Sequence, residues 1–83
     1  MKKEEIWAVE LGRIAAFFQS LPDSAQNETG FVFSGCRVTV TALEPRRMAG
    51  MELPQTRIVF EGAEASVIQV NRRFLLRFLS AGG

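Results

Sequence analysis

Hydrophobic and polar positions alternate over residues 56–61, where Thr56, Ile58 and Phe60 interleave with Arg57, Val59 and Glu61. A period of two puts each set on its own face of a strand, and the apolar set predicts a core on one side. After Gly62 the period changes. Ala63, Val67, Val70, Phe74 and Phe78 recur at steps of four and three, stacked along one side of a helix, and Ile68, Leu75 and Leu79 widen that side into a band. Glu64 falls in the first turn and Arg72, Arg73 and Arg77 in the second half, the order that complements the partial charges at the helix ends. Asn71 points into the band and requires a hydrogen-bond partner or a place at its rim. Gly82 and Gly83 read as the stop of this helix.

A second helical stripe runs from Lys3 to Leu21, with Trp7, Leu11, Ile14, Phe18 and Leu21 at alternating steps of four and three, Ile6 and Phe17 beside it, and Glu4 and Glu5 in its first turn. Gly12 lowers its propensity and marks a close approach to another element. Pro22 ends it, because the residue before a proline disfavours helical angles. Asp23 to Gly30 is polar and reads as a loop. Phe31 to Phe33 is a short β segment, and from Cys36 to Leu43 the residues Cys36, Val38, Val40 and Ala42 alternate with Arg37, Thr39 and Thr41. Ser34-Gly35 between them reads as a tight hairpin turn, with a glycine bulge in one long strand as the alternative. Glu44 to Glu52, bracketed by Pro45 and Pro54, reads as a long loop of the kind that carries binding.

The predicted fold class is α+β: one domain over residues 1–83, in the order helix, strand, strand, strand, helix. Its strands form an antiparallel three-stranded meander with both helices on one face, since each apolar helix band needs the sheet and the other helix to be buried. The expected core is Trp7, Leu11, Ile14, Phe18, Val38, Val40, Ile58, Phe60, Val67, Val70, Phe74 and Phe78.

Composition narrows the chemistry. Seven Phe, one Trp and a 47% hydrophobic content call for a packed core. The single Cys36 allows no internal disulfide and occupies an inward strand position, where a small buried hydrophobe is expected. With no His and no Tyr there is little material for acid–base, nucleophilic or metal chemistry, so no catalytic residue, metal or cofactor is expected and the chain reads as a non-enzyme. Charges interrupt any signal-like apolar run after Met1-Lys2-Lys3, and no stretch approaches the roughly 20 apolar residues that cross a bilayer, which predicts a cytoplasmic protein without membrane contact.

The net charge is +1, but residues 1–34 carry three bases and five acids and residues 35–83 carry seven bases and four acids, that is −2 against +3. The element order is similar to that of double-stranded-RNA-binding domains, which implies Arg37, Arg46, Arg47 and Arg57 as the contacts of a nucleic-acid-binding module. That family's lysine-rich start of the second helix is replaced here by Gly62, Ala63, Glu64, Ala65 and Ser66, with one acid and no base, which argues against nucleic acid as the partner. The ending Gly82-Gly83 resembles that of ubiquitin-like sulfur carriers. The resemblance implies a diglycine-tailed carrier whose terminal carboxylate is activated by adenylation. In those β-grasp proteins a strand precedes the tail and a hairpin opens the chain, whereas helix patterns occupy both places here.

The reading preferred on the sequence is a small non-catalytic protein-interaction or scaffold domain, self-association included. Its candidate partner-binding residues are Arg46, Arg47, Met48 and Met51 in the loop and Arg72, Arg73 and Leu76 on the outer side of the second helix. These join hydrophobes without an assigned burial to arginines, a pairing favoured in interface cores.

Overall fold

The computed structural model describes residues 1–80. Seven elements follow in order: β1 (Lys2–Trp7), α1 (Leu11–Ser20), β2 (Ala25–Gln26), β3 (Gly30–Phe33), β4 (Cys36–Met48), β5 (Met51–Gly62) and α2 (Glu64–Ser80). The fold is α+β, with two helices and one five-stranded antiparallel sheet in the order β1-β5-β4-β3-β2. The expected meander is its centre, β3-β4-β5, and Ser34-Gly35 is the hairpin turn between Phe33 and Cys36.

Three layout expectations are corrected. The first is the helix from Lys3: residues 2–7 are a strand on the edge of the sheet, paired from Lys2 opposite Glu61 to Trp7 opposite Thr56. Only the portion from Leu11 is helical. The second is the loop from Glu44 to Glu52, which is a projecting two-stranded arm formed by the ends of β4 and β5. Its register breaks between Leu43 and Arg46, so that Pro45 and Pro54, which lack an N–H to donate, fall where the ladder is interrupted. The third is the polar loop before β3, whose Ala25 and Gln26 pair with Val32 and Phe31; the Asn27 carboxamide accepts from the Thr29 and Gly30 N–H groups to close that turn.

Register places Phe31, Phe33, Cys36, Val38, Val40, Thr56, Ile58 and Phe60 on one face of the sheet, and Ile14 and Phe18 of α1 join Val67, Val70 and Phe74 of α2 over it in one cluster. Both helices therefore cover that face. The Phe18 and Phe74 rings stack at 5.6 Å between centroids, which locks the helices together across the core. Of the expected core, Trp7, Val40 and Phe78 are only partly buried, Leu11 lies half-buried outside the cluster, and Ile68 and Leu79 at the edge of the helix band are exposed. Gly12 marks no close approach, since a side chain there would meet nothing. A close approach that bears on α2 is at Gly62, where a Cβ would collide with the Gly35 carbonyl. That contact, and the hydrogen bond from the Ala63 N–H to the Gly35 carbonyl, fix where α2 begins. From there α2 runs back under the sheet until Phe74 and Phe78 meet the Trp7 ring, at 5.0 and 6.4 Å between centroids. Trp7 sits opposite Thr56, so α2 ends at the end of the sheet from which the arm departs.

Candidate functional site

The candidate residues divide between two surfaces. In the arm, Met48 pairs with Met51, Arg47 with Glu52 and Arg46 with Leu53. Side chains two apart share a face, so Arg46, Met48, Met51 and Leu53 form one stripe and Arg47 and Glu52 the other, the latter two 3.9 Å apart as an exposed ion pair. Along β5, Met51 and Leu53 continue the alternation of Gln55, Arg57 and Val59, which is the sheet face away from the helices. Arg72, Arg73 and Leu76 belong to the helix layer. Strand alternation thus sets the two halves of the expected patch on opposite sides of the sheet, although both lie toward the same end. Met48 and Met51 are 49% and 63% exposed and Leu76 is 61% exposed, as their lack of an assigned burial implied.

Arg73 is engaged within the fold. Its guanidinium donates to both carboxylate oxygens of Asp23 at 2.8 and 2.9 Å and lies over the Phe33 ring, tying α2 to the turn after α1. Those hydrogen bonds hold the Asp23 carboxyl below the usual carboxylate range and push the arginine upward. Arg72, by contrast, lines a groove of about 370 Å³ with Leu75, Leu76 and Leu79 on the last turns of α2. On the other flank of the same helix end, Arg77 and Phe78 face Arg13, Ala16, Phe17 and Ser20 of α1 across a cleft of about 350 Å³. Among the described residues no carboxylate lies within ion-pair distance of Arg13, Arg72 or Arg77. Arg13 and Arg77 went unnoticed as a pair because they come from helices 64 positions apart in sequence, and only the packing of α1 on α2 joins them. The charge excess of the second half signals Arg77 alone, because Arg13 belongs to the acidic first half.

Asn71 finds its partner in β1. Its carboxamide oxygen accepts from Lys3 at 2.9 Å and its NH₂ donates to Glu5 at 2.9 Å, while the Trp7 indole N–H donates to the second Glu5 oxygen at 2.8 Å. The network is closed, and it fastens the edge strand to α2. Cys36 is buried, and burial pushes its thiol above the ordinary value, the reverse of what a nucleophile needs. No group of three or more potential ligands able to hold a metal ion occurs among the described residues. No helix among them is long and apolar enough to cross a membrane. Gly82 and Gly83 lie outside the described residues.

Compared with known families, the chain matches, over residues 2–83, the family model described as archaeal MoaD-like protein. Comparison with curated proteins gives no match.

Proposed function

The chain belongs to the archaeal MoaD-like family, and from that premise we propose that it is a small carrier whose terminal Gly83 carboxylate is adenylated by a partner enzyme and then bears sulfur as a thiocarboxylate. The observation that carries this reading is the extent of the match, which includes Gly82 and Gly83. It reverses the preference drawn from the sequence, in which the diglycine was a helix stop and the carrier an alternative. In the proposed chemistry a carboxylate oxygen attacks the α-phosphorus of ATP and pyrophosphate leaves. A hydrosulfide-level donor then displaces AMP from the acyl adenylate, leaving C–S in place of C–O. Two glycines suit this role because a backbone without Cβ atoms passes a channel too narrow for side chains. The partner supplies the catalytic groups, in keeping with a chain that has no His or Tyr and a buried Cys36.

The departures from ubiquitin-like carriers are in the opening, where β1 leads into α1 in place of a hairpin, and in what precedes the tail. Their final strand is replaced by α2, and the sheet here is antiparallel throughout. An interaction role is contained in this reading, since a carrier acts only by docking.

Intact-mass spectrometry of the protein from its native cells tests it. The expected result is a fraction heavier by the difference between one sulfur and one oxygen atom, located to the C-terminal fragment and lost on Gly83→Ala. A single unmodified species throughout growth would overturn the proposal.

A further inference from the structure

Resting on the carrier reading, we propose that the end of α2 and the Arg13–Arg77 cleft beside it form the docking surface for the activating enzyme, whose matching side is acidic with an apolar projection. In the carrier reading the reacting carboxylate is that of Gly83, three residues after Ser80, and three extended residues span at most about 10 Å. An active site that receives the carboxylate therefore closes within that distance of the last turn of α2 and must cover the surface around it.

That surface presents apolar area and positive charge together. On one flank is the groove of Arg72, Leu75, Leu76 and Leu79, with Leu79 65% exposed. On the other, Arg13 and Arg77 line one cleft with Phe17 and Phe78, and the Ser20 hydroxyl donates to the Phe17 carbonyl. Three guanidiniums without a carboxylate in ion-pair distance among the described residues thus line the two recesses on the last turns of α2. Desolvating them is costly unless the covering surface supplies negative charge. A cationic partner surface is excluded by repulsion and a wholly apolar one by that cost, which leaves carboxylates flanking an apolar side chain. The arm leaves the same end of the sheet, its tip about 17 Å beyond Thr56, five residues of extended chain, and serves as the comparison surface.

The test follows the rate at which newly made protein acquires the terminal sulfur in native cells, by pulse labelling and intact mass. Wild type is compared with Arg13→Glu/Arg77→Glu and with Arg46→Glu/Arg47→Glu in the arm. The expected result is acquisition slowed about tenfold or more by reversal at the cleft, with circular dichroism unchanged, and no slowing by reversal in the arm. If the cleft reversal does not fold, Arg13→Gln/Arg77→Gln, which removes charge at similar shape, should still slow acquisition severalfold. Acquisition at the wild-type rate in a folded cleft variant, or equal slowing by the arm variant, would overturn this docking surface while leaving the carrier reading intact. Wild-type protein that never acquires sulfur would overturn both.

Discussion

Asn71 shows how one residue type can carry tertiary information. An amide inside an apolar helix band needs a partner, and the partner proved to be a Lys-Glu pair on a strand about 70 positions away. Arg73 carries similar information through Asp23. The depressed Asp23 carboxyl makes that pair's contribution complete above about pH 4, the ordinary carboxylate range, and lost as pH falls through the lower folded value. Asp23→Asn should therefore be less stable than wild type at neutral pH by no more than about 1 kcal/mol, because the pair is half exposed, and the gap should close in acid. Denaturant titrations at pH 7 and near pH 2.5 would check both. At the arm tip, Ala49 has φ 50° and Gly50 φ 79°, the two positive angles of a primed two-residue turn. Alanine is strained in that region, so Ala49→Asn should favour the closed turn by about 0.5–1 kcal/mol, read as roughly two- to fivefold slower amide exchange in the arm.

Among the elements, β1 and the arm escaped periodicity for different reasons. The inward positions of β1 are Lys3, Glu5 and Trp7, only one of them apolar, so the alternation visible in burial is absent from residue type. Charged side chains on an edge strand also discourage pairing with a further chain. Trp7 meanwhile fell into step with Leu11, Ile14 and Phe18 and extended the apparent helix backwards across a turn. It does reach the same core, from the sheet instead of the helix. The arm was hidden because its two prolines and exposed residues have loop composition, and an Ala-Gly turn is a weak hairpin signal beside Asn-Gly. Hydrophobes on so exposed an element are not held by packing. Met48→Asp and Met51→Asp should each leave stability within about 0.5 kcal/mol in a denaturant titration, and a loss of several kcal/mol would show that the arm packs on the body.

At the scale of the molecule, Phe74 is where every layer meets. Its ring contacts Phe17 and Phe18 of α1, Phe60 of β5, Trp7 of β1 and Phe78 within α2, with centroids 4.7–6.1 Å apart. Removing it leaves a cavity that neither helix can close without giving up the other, so Phe74→Ala should destabilise by about 3–5 kcal/mol. A chain of this size has a thin margin, and the expected outcome is loss of the cooperative thermal transition at physiological temperature. Retention of most of the wild-type denaturation midpoint would show that the core divides into separately stable parts.

The sequence by itself determined the α+β class, the central meander, the Ser34-Gly35 hairpin and the face of α2 that is buried, because each repeats a local period in residue type. It also contained, in Asn71, the demand for a polar partner without the means to name one. Only the tertiary structure decided that residues 2–7 are an edge strand, that Arg73 is tied to Asp23, and that Arg13 joins Arg77 beside the end of α2. Those outcomes depend on which distant segment lies alongside. Backbone hydrogen bonds along β5 and ring packing around Phe74 set that neighbourhood, and neither leaves a periodic trace in the chain.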